Sequence, residues 1–196
     1  MARATSASSV VTPTGCCPPF DPSAFEDQEV HWDHKLFLKD HVYSFLHVPL
    51  NMGRRMARDV ALIEAAQAEP PQRLMLADES SPWGSELYID VTKPVPGARM
   101  ATLTGTFLTK VFEGPYREMG RWTEQMRSHV EAKGRRLEKL YFAYVLCPAC
   151  AKAYGHNYVV AFAKVRASRA RNENARRPAP RTGRPAAART GHLPVG

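Results

Sequence analysis

The chain has 196 residues, of which 44% are hydrophobic and 23% charged, an ordinary globular balance with enough length for one domain and its core. No stretch approaches the roughly 18 consecutive apolar residues of a membrane span, and Met1 to Gly15 lacks the apolar centre of a secretory signal, so a cytoplasmic protein without a membrane partner is expected. The net charge of +8 does not describe the body of the protein: the segment from Arg166 to Gly196 holds eight Arg and one Glu, which leaves +1 for the other 165 residues.

Residues 1–28 read as an N-terminal arm whose first part is rich in Ser, Thr and Ala. An extended stretch follows from about Glu29 to Val48, with alternation clearest around Leu36 to Leu38. Asn51 stands as an N-cap, and Met52, Met56, Val60 and Ile63 keep helical spacing until Pro70 and Pro71 end the run. Two strands are predicted next, Arg73 to Ala77 and Glu86 to Val91. In the second, Leu87, Ile89 and Val91 share one face and Tyr88 takes the other.

The same order then recurs. Arg99 to Phe112 is a long β-branched and aromatic run in which Gly105 marks a bulge. After Gly114 and Pro115, residues Tyr116, Met119, Trp122, Met126 and Val130 form an amphipathic helix that Gly134 stops. Strands from about Leu140 to Leu146 and Tyr158 to Val165 complete the second unit. The expected fold class is therefore α+β: tandem duplicated β-α-β-β units forming one domain over 29–166, with two helices packed on antiparallel sheet and a groove where the halves meet. Residues 167–196, rich in Arg, Pro and Ala with little to bury, read as a disordered tail. At most they tether nucleic acid or an acidic partner weakly, because no aromatic residue interleaves the arginines to stack on bases.

Several rings stand where such a groove would form. Trp83 lies in the loop S-S-P-W-G-S between two strands, and an exposed Trp is costly unless it packs on a ligand or on the domain itself. Tyr88, Tyr116, Tyr141 and Tyr144 offer hydroxyls that donate and accept and flat faces that stack on planar or cationic molecules; Phe112 adds a further apolar face. For each of these rings a plain core role competes. Trp122 lies on the apolar stripe of its helix and is assigned to the core. Glu113 is the carboxylate singled out for acid or base work, because it ends an apolar strand just before the Gly-Pro turn, where burial would raise its pKa. Stabilisation of the following helix start is its other reading. Asp78 and Glu79 end a strand of the first unit and read as solvated.

All four cysteines fall in two pairs, Cys16 with Cys17 and Cys147 with Cys150 in C-P-A-C. A zinc site on Cys16, Cys17, Cys147 and Cys150 would require the arm to return to the second unit, and adjacent cysteines chelate a tetrahedral ion awkwardly. His156 is the nearest substitute ligand. The expectation is no metal and no cofactor, with reduced structural thiols. A thioredoxin-like role is disfavoured because C-P-A-C is read as a turn that meets Gly155 within a few residues. His31, His34, His41 and His47 form no zinc-hydrolase signature, and Lys110 has no Schiff-base context. Absent too are a phosphate-binding loop, a dinucleotide fingerprint and a G-x-S-x-G elbow, which removes ATP, NAD and acyl-serine chemistry.

The run G-T-F-L-T-K-V-F-E-G-P-Y, the Trp-containing helix after it, then Y-F-A-Y-V and G-H-N-Y-V-V-A-F, resembles the GyrI-like small-molecule-binding proteins, which share a duplicated architecture with the SOUL haem-binding group. The resemblance spans about Glu29 to Val165. It implies an aromatic-lined cleft for organic, often cationic molecules, used in multidrug sensors, in toxin sequestration, or in a subfamily that hydrolyses the cyclopropane of DNA-alkylating natural products. No helix-turn-helix segment precedes the domain, which points away from the sensor role. The hydrolase reading implies a Tyr hydroxyl or a protonated Glu stabilising charge on a carbonyl oxygen while a carboxylate assists water, with Glu113 and Tyr144 as the catalytic candidates. The rival readings are a sequestering protein without turnover and a nucleic-acid-associated protein that uses the basic tail.

Overall fold

The computed structural model describes residues 17–46 and 48–167. In chain order they form β1 (Glu29–Phe45), β2 (Val48–Pro49), α1 (Met52–Ala65), β3 (Met75–Ser81), β4 (Gly84–Asp90), β5 (Met100–Glu113), α2 (Met119–Ala132), β6 (Arg135–Tyr144), α3 (Pro148–Tyr154) and β7 (Tyr158–Ala167). The duplication read from the periodicity is present: β1-α1-β3-β4 is followed by β5-α2-β6-β7, and both long helices have 14 residues. His47, Cys16 and the tail after Ala167 lie outside the described residues.

All strand pairs are antiparallel, and the sheet closes on itself. The order β1-β4-β3-β6-β7-β5 returns to β1 through a long β1–β5 ladder, with β2 attached only to the end of β1. The two halves therefore meet twice. One junction is the β1–β5 ladder. The other is β3 against β6, where a single pair, Ala77 opposite Phe142, bridges them.

Closure means that most strands bury both faces, so their alternation sorts side chains between two apolar layers. Inside the ring, Phe37, Tyr88, Phe107, Tyr141 and Phe162 pack together with Trp32. Outside it, Trp122, Met126 and Val130 of α2 lie on Leu108, Phe112 and Val159, while Ile63 of α1 lies on Leu38 and Ile89. The described part of the N-terminal arm joins the inner layer. Phe25 packs edge-on against Phe162 at 6.0 Å, and Thr109 donates from Oγ1 to the Phe25 carbonyl at 2.6 Å.

Local differences from the sequence reading have identifiable causes. The bulge is on β1, where Trp32 pairs with Gly105 and Lys35 with Leu103, so one extra residue of β1 is accommodated around His34, whose φ is +51°. Asn51 occupies the N-cap of α1 as expected, but its side chain does not bond the helix amides. Its Oδ1 accepts from the Tyr43 amide at 3.0 Å and ties the helix start to β1. The buried face of α1 also carries Asp59, which is held by two guanidinium bonds from Arg58 and pushed up in pKa chiefly by burial. Gly114 has φ +142° and a Cβ there would sit 3.3 Å from the Trp122 ring, so both turn geometry and close approach select glycine. No helix among the described residues is long and apolar enough to cross a membrane.

Trp122 is 1% exposed and stacks on Phe112 at 5.6 Å, whereas Trp83 is 59% exposed. Trp122→Ala should therefore cost about 3–5 kcal/mol of unfolding free energy, read from denaturant midpoints. Trp83→Ala should cost under about 1 kcal/mol, as exposed positions do. Equal losses would mean that Trp122 is not the anchor of α2.

Candidate functional site

The inner layer is lined by packed rings, and a polar contact that joins the two halves lies outside the ring, over the β3–β6 junction between the starts of the two long helices. Tyr144, at the end of β6, packs against both outer cores: that of α2 and that of Val42, Ala77 and Leu87 on the first half. The small side chain at Ala77 leaves space for that ring to lie across the junction. Its hydroxyl donates to Glu79 Oε1 at 2.5 Å, joining β6 to β3. Burial, then the Glu79 charge, its hydrogen bond and the neighbouring Tyr116 push the Tyr144 pKa far above the usual phenol range. The hydroxyl therefore stays protonated and donates.

Tyr116, in the short turn before α2, meets Tyr144 edge-on at 5.4 Å and is 41% exposed. Its pKa is raised by burial first and by Cys147 second. On the first half, Glu79 borders a hollow of about 30 Å³ that is also lined by Ser44, Met52, Ser81 and Ser85. That volume suits a water molecule; drug-sized ligands occupy roughly 300–1,000 Å³. The rim beside it is apolar and exposed: Trp83 lies 5.9 Å from Phe45, with Tyr43 and Leu50 nearby along the chain. Met52 and Met56 of α1 pack beneath.

The expected site residues divide into three groups. Tyr144, Tyr116 and Trp83 lie on this outer side. Tyr88 and Tyr141 face into the ring, perpendicular to each other at 5.6 Å, with Lys39 and Lys139 over their faces and the Tyr141 pKa raised mainly by burial. Phe112 is stacked on Trp122 in the core under α2. Glu113 ends β5 as an exposed carboxylate paired with His156 at 2.7 Å, and that ring in turn stacks on Tyr158. The carboxylate that touches Tyr144 is Glu79, which sequence reasoning left as solvated. Counted from the bridging pair Ala77 and Phe142, Glu79 and Tyr144 each stand two residues further along their own strands, so the duplication itself makes them counterparts.

A larger hollow of about 260 Å³ lies at the other end of β6, lined by Arg127, Glu131, Arg135, Arg136 and Leu137. It contains none of the expected residues. The C-P-A-C segment also departs from its reading. It is not a turn but caps and opens α3, with Cys147 at the N-cap and Gly155 ending the helix in the left-handed conformation. Cys17 from the arm reaches it, and Cys17, Cys147 and Cys150 are a group with donor atoms placed to hold a metal ion.

Comparison with known proteins agrees with this architecture. No curated protein matches the chain. Among solved structures, the C-terminal domain of EcmrR superposes with a TM-score of 0.52 at 10% identity, covering 74% of this chain and 99% of that one. The same protein in a complex with DNA gives 0.53 at 10% identity over 74% of this chain and 58% of that one. A hydrolase from Listeria innocua gives 0.52 at 11% identity over 72% and 92%. These likenesses establish a shared fold, in agreement with the GyrI-like resemblance. The model of one family, described as bacterial hydrolase, matches residues 7–165, and the chain belongs to that family.

Proposed function

We propose that the protein binds a small aromatic or cationic organic molecule over the β3–β6 junction and hydrolyses it, and that its substrates are xenobiotics such as cyclopropane-bearing DNA alkylators. The observation that carries this reading is the Tyr144–Glu79 hydrogen bond beside a water-sized hollow. Membership of a bacterial hydrolase family supports it. Detoxification, antibiotic resistance and a cytoplasmic setting are parts of the same reading.

In this mechanism the Tyr144 hydroxyl fixes the Glu79 carboxylate, which takes a proton from water in the hollow. The water oxygen bonds to the electrophilic ring carbon, the strained carbon–carbon bond breaks, and its electron pair moves onto the conjugated carbonyl as an enolate. The proton held by Glu79 then returns to that enolate, so the sum is addition of water. Trp83, Phe45 and Tyr116 supply faces on which a planar ligand stacks. A bound ligand must widen the cleft, because the hollow itself admits only water. Glu113, engaged with His156, is given no step.

Purified protein is to be incubated with such an alkylator and the hydrated product quantified by mass spectrometry. Glu79→Gln should lower kcat by about 10²-fold or more, as loss of a general base does, with ligand affinity within a few-fold. Trp83→Ala should weaken binding about tenfold and leave kcat nearly intact. Binding without product would favour sequestration, and full turnover by Glu79→Gln would remove its assigned part.

The raised Tyr144 pKa has a signed consequence. The folded state holds that proton more tightly than the unfolded chain, so stability is constant below the unfolded phenol value of about 10 and falls as pH rises past it. Tyr144→Phe should show a shallower loss of stability above that pH than the wild type in denaturant titrations. Removal of residues 167–196 should leave ligand binding and turnover unchanged, whereas loss of either would favour a function residing in the basic tail.

A further inference from the structure

The two halves differ most in how they join their last two strands. In the first, β3 runs into β4 through a tight turn at Pro82 and Trp83, with Ser81 paired to Gly84. In the second, the chain between β6 and β7 contains α3, and with it Cys147 and Cys150. Folding needs no helix at that place, since the first half manages without one. The inserted segment is held to the N-terminal arm by polar bonds. Tyr154 donates from its hydroxyl to the Cys17 carbonyl at 2.8 Å, and the Cys147 amide donates to Cys17 Sγ at 3.5 Å.

Three sulfur atoms meet there. The Sγ atoms of Cys17, Cys147 and Cys150 all lie within 4.8 Å of one another, from two segments about 130 residues apart in sequence. A tetrahedral Zn²⁺ with Zn–S bonds of about 2.3 Å sets its thiolates about 3.8 Å apart, so small side-chain rotations bring the trio to ligand spacing. The backbone is arranged to support charged sulfur. The Cys150 amide donates to Cys147 Sγ at 3.4 Å, and the Cys147 amide to Cys17 Sγ, so among the described residues Cys147 and Cys17 each accept an N–H bond at sulfur. Cys150 is fully buried and the other two are half-buried.

We propose that Cys17, Cys147 and Cys150 are three ligands of a structural Zn²⁺ ion that fastens the N-terminal arm to the inserted helix. The ion holds Phe20 and Phe25 of the arm against the aromatic inner layer and fixes the segment that follows Tyr144. It takes no part in hydrolysis. His156, the substitute ligand expected from sequence, is engaged with Glu113 and Tyr158 instead.

The full chain, purified under reducing conditions, is to be stripped with chelator, reloaded with Zn²⁺ or Co²⁺, and assayed for bound metal and absorption. About one metal per chain is expected, with thiolate-to-cobalt charge-transfer bands and the intense visible bands of a tetrahedral ion. Cys17→Ser, which alters only the arm, should lose most of the metal and weaken the charge-transfer bands while the circular dichroism of the sheet and helices is kept. Chelator should lower the melting temperature of the wild type and not that of Cys17→Ser. Two results overturn the proposal: reduced wild-type protein that takes up no tightly bound metal, including the case in which Cys147 and Cys150 cycle to a disulfide instead, or a Cys17→Ser protein with unchanged metal content and cobalt spectrum. Metal content is read without any substrate, so this test is independent of the hydrolase reading.

Discussion

Closing six strands into a ring with apolar layers on both faces is the constraint from which the rest of this structure follows. A strand with one wet face can move a residue between core and solvent with little consequence. Here the central positions of the strands divide between the inner aromatic layer and the layer under the helices. The ring interior is lined by Trp32, Phe37, Phe107, Phe162 and the two tyrosines, which pack on one another. The proposed site lies over the thinnest junction, the single Ala77–Phe142 pair.

That junction is where duplication becomes useful. Two equal halves meeting about a pseudo-twofold place equivalent positions face to face, and identical residues there would gain nothing chemically. Glu79 and Tyr144 are equivalent by position and complementary by type: an acceptor-only carboxylate and a hydroxyl that burial keeps protonated. The difference between Ala77 and Phe142 works the same way. The smaller residue opens the space into which the tyrosine from the other half leans, and Tyr144 consequently packs against the cores of both.

The sequence carried the architecture well because amphipathic periodicity and turn residues are local signals, and each appears twice. Two helices, their stripes at Trp122, Met126 and Val130 and at Ile63, and the order of the strands were all legible. Site membership was less so. Tyr141 and Tyr144 are three apart on one strand, which period-two alternation sends to opposite faces, so they could not have lined one hollow. Glu79 was hidden for a different reason. Its partner lies on the other half of the chain, and the bridge at Ala77 and Phe142 is what sets which residues of β3 and β6 correspond. Asp59 on the buried face of α1 was not legible, because its burial depends on Arg58 folding back over it, whereas the start of α3 carries local signals: Cys147 accepting from the Cys150 amide, Pro148 in the first turn and Gly155 at the stop.

The inserted helix marks where the two halves were free to diverge. Any change within a ladder disturbs both faces of the ring, so new features accumulate at the strand ends: the tight turn bearing Trp83 in one half, and α3 with its cysteines in the other. The first follows Glu79 and the second follows Tyr144, at opposite ends of the antiparallel β3–β6 pair. The first contributes an exposed aromatic rim. The second adds Cys147 only a few residues after Tyr144, close enough that its charge contributes to the raised pKa of Tyr116. A fixed anchor at that point limits how far the end of β6 can move, and movement there would displace the hydroxyl that holds the Glu79 carboxylate. Preorganisation of a site on a thin junction therefore requires support from outside the ladder, and the arm docked through Cys17 is placed to give it.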